Sequence, residues 1–222
     1  MTTGFFLSLR SDVQHFLHAA SLVAEVHRRM PGVEVIQLSD KHTPVVPGVT
    51  GVSSILAENE SSLLDLRLSL YASREGEWLL IDTDVSIRND VRGVFADESF
   101  DVALCDRNWP HLAQGEKIMH TMPFNTGVVF TRRQEFWQDV LAHWRALPLA
   151  VREDWMSEQR AVYAIVRTGR YHVKILPGMA YNYPPGKADD APIVAACVHY
   201  KGNRKKWLSA HANDVLGGRS CG

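Results

Sequence analysis

The sequence has few cysteines, no long apolar run and almost no net charge, and each shortage argues against a class of protein. Its three cysteines, Cys105, Cys197 and Cys221, have the spacing of neither a metal motif nor a disulfide framework, which fits a reducing compartment. No apolar run approaches the roughly 20 residues that span a bilayer, and the patch at Phe5 is too short for a signal peptide. The formal net charge of −1 gives no overall attraction to nucleic acid or membranes. We therefore expect a cytoplasmic protein with no membrane span and no nucleic-acid partner.

The chain has instead the composition of an ordinary globular domain. Apolar residues make up 45% and charged residues 22% of its 222 residues, which is enough chain for a buried core. Strands are predicted near 4–9, 33–38, 78–82, 100–105, 124–131, 173–176 and 193–198, and helices near 12–29, 60–73, 134–146 and 154–168. Residues 40–53 are rich in proline and glycine and predict a loop. The alternation predicts one α/β domain over 1–210, followed by a tail over 211–222.

One short segment carries the strongest chemical signal. The run WLLIDTDV at 78–85 is an apolar strand that ends in two aspartates, Asp82 and Asp84. Carboxylate oxygens suit Mg²⁺ or Mn²⁺, which keep coordination positions for substrate phosphates. Ligands of open α/β sheets usually bind at the carboxyl ends of the strands. The segment therefore predicts a metal–diphosphate site, although a strand can also end in acidic turn residues.

Three further segments carry weaker signals. His199 begins a block with Gly202, Lys205 and further cations, which suits a diphosphate but also a solvated basic turn. Asn125 precedes an apolar strand in an Asn-Thr-Gly set, which suits either a substrate-facing turn or a plain one. The pair at 158–159 lies in a predicted helix, where surface decoration is the simpler interpretation.

Taken together, the order of these segments resembles that of a known family. The segments Asp82-Thr83-Asp84, Phe124-Asn125-Thr126-Gly127-Val128, Glu158-Gln159 and His199-x-x-Gly202-x-x-Lys205-x-Trp207 resemble those of retaining GT-A glycosyltransferases of family 8, the galactosyl-, glucosyl- and glycogenin-like enzymes. The last segment matches the family pattern at every fixed position, and the resemblance covers about residues 66–207. It implies an α/β GT-A fold, with a mixed central sheet flanked by helices. It also implies transfer of a hexose from a nucleotide sugar, with a UDP-sugar expected, to an unknown acceptor.

The resemblance also implies a role for each matched residue. A Mn²⁺ ion, or Mg²⁺ in its place, would be held by Asp82, Asp84 and His199. The implied substrate-binding residues are Arg67 and Asn125 for the sugar, Gly202 and Lys205 for the diphosphate, Asp82 and Thr83 beside the metal, and Ser8 (with Asp40) for the base or ribose.

The implied catalytic positions are Glu158 and Gln159, near the anomeric carbon. Glu158 departs from the family's Asp-Gln pair, so Gln159 is the better match. A front-face route to retention, with the leaving phosphate as base, needs no protein nucleophile. A mechanism in which Glu158 acts as a covalent nucleophile is the less favoured alternative.

Two alternatives remain at this stage. A haloacid-dehalogenase-like phosphatase also ends an apolar strand in Asp-x-Asp. That motif normally belongs to the first strand, however, and Ser86 stands where Thr or Val is usual. A later acidic pair is present at 189–190, but it lies in a segment rich in proline and glycine and not clearly after a strand, which also counts against a phosphatase. A nucleotide-binding module without turnover is the second alternative, which the poorly matching N-terminal region leaves open.

Overall fold

The computed structural model describes residues 1–8, 13–55, 63–107, 122–154, 156–188 and 190–217. Its strands are β1 (Thr2–Phe6), β2 (Glu34–Asp40), β3 (Gly51–Ile55), β4 (Trp78–Ile81), β5 (Val85–Ile87), β6 (Val102–Asp106), β7 (Phe124–Thr131), β8 (Val173–Leu176) and β9 (Cys197–His199). Its helices are α1 (Val13–Arg29), α2 (Leu63–Ala72), α3 (Gln134–Ala146), α4 (Leu149–Arg152), α5 (Ser157–Val166), α6 (Gly178–Tyr181) and α7 (Lys205–Leu216). Short 3₁₀ turns cover Arg92–Ala96 and Gly202–Arg204.

Seven strands form one mixed sheet, in the order β3-β2-β1-β4-β7-β6-β8. The first four are parallel, β7 runs antiparallel to both of its neighbours, and β8 is parallel to β6. The strands β5 and β9 form a small antiparallel sheet of their own. The predicted mixed α/β architecture is therefore confirmed.

The central sheet is covered on both faces, which explains why its middle strands are apolar throughout. Along β4, Leu79 and Ile81 pack into the core with α1, whereas Leu80 packs into the core with α2, α3 and α5. Trp137 and Trp144 lie in the same core as Leu80, and each is 1% exposed. Full burial of a large apolar side chain contributes about 1.5–3 kcal/mol.

The structure corrects several of the predicted elements. The segment 40–53 is not all loop, because β3 begins at residue 51 and pairs with β2. The strand predicted at 193–198 is shorter and later, since only residues 197–199 pair with β5. The strand β5 and the short helix α4 were not predicted. All are short elements, whose periodicity is too brief to separate them from turns.

The helix α7 spans residue 210, where the sequence predicts that the domain ends. Leu208 and Ala212 on this helix are buried, and the side chain of His18 on α1 contacts Ser209 at 2.9 Å. The boundary expected at residue 210 therefore lies inside a helix that packs on α1. Within the described ranges, no helix combines the length and the apolar character that a membrane-spanning segment needs.

Candidate functional site

The two aspartates lie where the chain leaves the central sheet for the small one. After β4, the Val85 N–H donates to the Asp82 carbonyl at 3.2 Å, which closes a tight turn. The Asp82 N–H donates to the carbonyl of Gly127 on β7 at 2.8 Å, and the Asp84 carbonyl accepts from the Tyr200 N–H at 2.8 Å. The backbone around both carboxylates is thus tied to a neighbouring strand on each side.

His199 reaches the aspartates because β9 pairs with β5. His199 lies opposite Val85 in the register of the small sheet, so its side chain comes beside Asp84. Its Nε2 lies 3.0 Å from Asp84 Oδ1 and 3.7 Å from Asp82 Oδ2. The ligand atoms of Asp82, Asp84 and His199 all lie within 4.8 Å of one another. The structure thus brings together three residues that are separated by up to 117 positions in the sequence.

The ionisation of these groups suits a divalent cation. Although burial opposes it, the His199 ring and then Lys205 hold the pKa of Asp84 well below its ordinary value. Burial lowers the pKa of His199, against the opposing effect of Asp84. An ionised carboxylate and a neutral imidazole are the forms in which these residues bind metal.

The group formed by Asp82, Asp84 and His199 opens into a cavity of about 460 Å³, within the range of small-molecule sites. The described residues that line it are Asp82, Asp84, Arg107, Asn125, Gln159, His199, Lys201, Gly202 and Lys205. Seven of these nine were predicted from the sequence to be site residues. Arg107 was not, and Lys201 was noted only as part of the basic block. Ser8 and Thr83 are buried but do not line this cavity, so their predicted contacts remain predictions.

Three cations line the cavity, and each has a different setting. Lys205 Nζ lies 3.6 Å from Asp84 Oδ2 and 2.9 Å from His15 Nε2 on α1. Burial, followed by the neighbouring Arg107, lowers the pKa of Lys201 to about 7. Burial lowers the pKa of Arg107 to about 10. Such a concentration of positive charge in a concave site favours an anionic ligand.

Gln159 enters the cavity from the first turn of α5. Its Oε1 accepts a hydrogen bond from Arg107 Nη2, and Arg107 Nε donates to the Phe124 carbonyl at 2.9 Å. The guanidinium therefore connects the end of β7 to α5 and holds the Gln159 side chain. Sequence analysis missed Arg107 because it follows a strand in a segment with no recognisable motif.

Arg67 and Glu158 form a buried layer behind Asp82. Arg67 Nη2 donates to Asp82 Oδ1 at 2.7 Å, and Arg67 Nη1 lies 3.5 Å from Glu158 Oε2. Burial raises the pKa of Glu158 above its ordinary value, while Arg67 opposes that shift. Neither Arg67 nor Glu158 lines the cavity. Glu158 is therefore buried, and the surface position that a lone Glu-Gln pair would suggest is wrong.

A glycine and two asparagines pack around His199. A Cβ atom on Gly127 would lie 2.1 Å from His199 Cε1, so the ring occupies space that only glycine leaves free. Asn182, at the end of α6, contacts both His199 Nδ1 and Asn125 Oδ1. Asn182 is not among the site residues predicted from the sequence. No local pattern identifies it, because its partners are 17 and 57 residues away.

Comparisons with known proteins find similarity to this chain in structure but not in sequence. No protein-family model matches the chain, and no curated protein matches its sequence. A glycosyltransferase involved in the glycosylation of the major capsid of PBCV-1 matches with a TM-score of 0.64 and 15% identity, over 96% of this chain and 100% of the other. The galactosyltransferase LgtC, in complex with donor and acceptor sugar analogs, matches with a TM-score of 0.57 and 14% identity, over 98% and 96%. The glycosyltransferase GlyE of Streptococcus pneumoniae TIGR4 matches with a TM-score of 0.61 and 11% identity, over 98% and 63%.

Proposed function

From the GT-A glycosyltransferase fold that the chain shares with these structures, similar to family 8, we propose that it is a metal-dependent glycosyltransferase. It transfers a hexose from a nucleotide sugar, expected to be a UDP-sugar, to an acceptor with retention of configuration. The observation that carries the proposal is the convergence of Asp82, Asp84 and His199 at the wall of a cation-lined cavity. A phosphatase is less well supported, because the Asp-x-Asp segment follows the fourth strand of this fold.

The three residues fit a divalent cation by their donor chemistry. Each carboxylate has one oxygen near His199 Nε2 and the other near a cation, Arg67 for Asp82 and Lys205 for Asp84. The cations hold the carboxylates in place and leave one oxygen of each toward the imidazole. Two hard oxygens and one imidazole nitrogen suit Mn²⁺, with Mg²⁺ as the alternative. A bound divalent ion would supply Lewis-acid stabilisation of the departing diphosphate.

The chain's own cations act on the same leaving group. Lys205 and Gly202 would bind the diphosphate, with Lys201 beside them in the cavity. As the glycosidic bond breaks, negative charge grows on the diphosphate, and fixed positive groups stabilise that charge more strongly than they stabilise the bound donor. We expect these residues to affect turnover as well as donor affinity.

The arrangement near the sugar supports a front-face route to retention. Glu158 is buried against Arg67 and does not line the cavity, which argues against a covalent role. Gln159 lines the cavity and would position the sugar near its anomeric carbon, with Arg107 holding its side-chain oxygen. No protein nucleophile is needed if the leaving phosphate accepts the proton of the acceptor hydroxyl.

The remaining donor contacts are proposals of the same kind. Asn125 would contact the transferred sugar from the cavity wall. Arg67 would act mainly by holding Asp82, since their 2.7 Å hydrogen bond occupies part of its guanidinium. Thr83 and Ser8 would contribute to donor binding, although both are buried and neither lines the cavity.

The test is calorimetric titration of UDP and of GDP into the purified protein, with and without Mn²⁺. Mn²⁺-dependent binding of UDP supports the donor class, and a panel of UDP-sugars with product analysis by NMR then identifies the sugar and the anomeric outcome. Preference for GDP would leave the glycosyltransferase proposal standing but replace the expected UDP-sugar by a GDP-sugar. Absence of binding by either nucleotide in the presence of Mn²⁺ would contradict the proposed function and turn attention to p-nitrophenyl phosphate hydrolysis.

A further inference from the structure

A chain of buried hydrogen bonds lies behind the metal cluster. The Gly127 N–H donates to Asn125 Oδ1 at 2.9 Å, and Asn182 Nδ2 donates to the same oxygen at 2.5 Å. Asn182 Oδ1 lies 2.7 Å from His199 Nδ1. Asn182 is 0% exposed, and Asn125 and His199 are almost as deeply buried. The proposed chemistry uses His199 but gives Asn182 no part.

The direction of every bond in this chain follows from its first donor. A backbone N–H can only donate, so the Asn125 atom that faces Gly127 must be its oxygen. The Asn182 atom that meets this oxygen must then be the amide nitrogen, which turns the Asn182 oxygen toward His199. An amide oxygen only accepts, so His199 must carry a proton on Nδ1. The ring nitrogen left to face Asp82 and Asp84 is Nε2.

We propose that Asn182 is a positioning residue, which keeps the proton of His199 on Nδ1 and thereby presents the Nε2 lone pair to a divalent cation. This inference rests on the proposed function, since it assigns a role within that metal site. The competing tautomer, protonated on Nε2, would donate to Asp84 Oδ1 at 3.0 Å and could not bind a metal. Asn182 disfavours that tautomer, because it would set two lone pairs against each other at 2.7 Å. The favoured tautomer sets the Nε2 lone pair against Asp84 Oδ1 at 3.0 Å, and a cation held between these two atoms would remove that repulsion.

Histidine ligands commonly use their second ring nitrogen in this way, and loss of the partner typically lowers metal affinity or activity about 10- to 100-fold. The Gly127 N–H makes the present case unusually well determined, because it is a donor that cannot flip. The chain of hydrogen bonds runs from β7 through the end of α6 to β9. Its effect therefore depends on three separate segments keeping their relative positions.

The first experiment titrates Mn²⁺ into the protein and follows free Mn²⁺ by electron paramagnetic resonance. Asn182→Ala should bind Mn²⁺ about 10- to 100-fold more weakly than the wild type. Asn182→Asp keeps an oxygen acceptor for Nδ1–H but loses the donor to Asn125 Oδ1, so it should recover part of that affinity. Asn213→Ala, an exposed position on α7, is the matched control and should bind as the wild type does.

The second experiment detects the proton itself in the metal-free protein. Nitrogen-15 NMR of the histidine rings, with His199 assigned by its loss in His199→Gln, should give a slowly exchanging Nδ1–H in the wild type. Asn182→Ala should lose that protected signal, and Asn182→Asp should keep it. The protected Nδ1–H signal reports the hydrogen bond itself, and a purely packing role for Asn182 would not produce it. The comparison of wild type with Asn182→Ala remains valid even if Asn182→Asp folds poorly.

Three results would overturn the proposal: wild-type Mn²⁺ affinity in Asn182→Ala, equal losses in the Ala and Asp variants, or a wild-type His199 without a proton on Nδ1. If the wild type binds no Mn²⁺, both the positioning role and the proposed metal dependence fail. If it binds Mn²⁺ with the expected variant effects but transfers no sugar, only the proposed function fails.

Discussion

Replacement of Gly127 by alanine is the sharpest test of how the proposed metal site is built. Gly127 lies on β7, with its Cα against the imidazole of His199. The added methyl group would lie 2.1 Å from His199 Cε1, 2.4 Å from Nδ1 and 2.9 Å from the side-chain oxygen of Asn125. Ordinary contacts of this kind begin near 3.4 Å. The ring would therefore have to retreat by about 1.3 Å, or the strand would have to move.

The expected loss follows from that displacement. Metal–ligand distances tolerate only about ±0.2 Å, so a retreat of this size removes His199 from the cluster. We expect Mn²⁺ affinity to fall by at least the roughly 10- to 100-fold that follows loss of a supporting partner. Overpacking a buried site typically costs about 1–3 kcal/mol of folding free energy. For a chain of this size, each kcal/mol lowers the melting temperature by about 2–4 °C.

The assay is thermal unfolding with and without saturating Mn²⁺, together with direct Mn²⁺ titration. The wild type should melt higher with Mn²⁺, because a ligand of the native state stabilises it. Gly127→Ala should melt lower and lose that increase. Gly93→Ala is the control, because a Cβ at Gly93 meets nothing within 4 Å. Wild-type Mn²⁺ affinity in Gly127→Ala, or an equal loss in the control, would refute the reasoning.

Three further predictions concern the same site. Asp84→Asn should abolish Mn²⁺-dependent UDP binding while leaving the circular dichroism spectrum unchanged, and normal UDP binding by calorimetry would contradict the site assignment. Gly202→Ala should lower stability by about 1–2 kcal/mol in urea unfolding, because φ at Gly202 is +58° and alanine is strained there; an unchanged midpoint would count against it. Burial raises the pKa of Glu158, so the native state binds the Glu158 carboxyl proton more tightly than the unfolded chain does. The contribution of this proton to folding stability is present at low pH and is lost as pH rises through the native pKa. Glu158→Gln should flatten that part of the stability–pH curve, and an unchanged slope would argue against the burial of an ionisable group.

Most of the long or strongly apolar elements were predictable, although the 12-residue helix α7 was not. The helices α1 and α3 follow the expected ranges closely, and β4 ends one residue before Asp82. These elements have clear periodicity or are buried on both faces, so the local sequence pattern is enough to predict them. The short strands β3 and β5 were missed, because each is defined by its partner strand and has little pattern of its own.

The candidate site divides along the same line. The Asp-x-Asp segment and the block from His199 to Lys205 combine chemistry and spacing within a few residues, so the sequence alone points to a metal and a diphosphate. Arg107 and Asn182 carry no such spacing. Their importance comes from contacts with Gln159, Asn125 and His199, which only the folded chain brings within reach.

The sequence by itself determined the order of most of the longer strands and helices, the acidic turn after β4 and the basic block after β9, because short-range patterns of burial and charge encode these features. Tertiary structure alone decided that His199 stands against Asp84, that Gly127 leaves room for the imidazole, and that Asn182 directs its proton. The physical reason is that a ligand's orientation depends on neighbours from distant segments, whose distances are fixed only when sheet pairing and core packing bring those segments together.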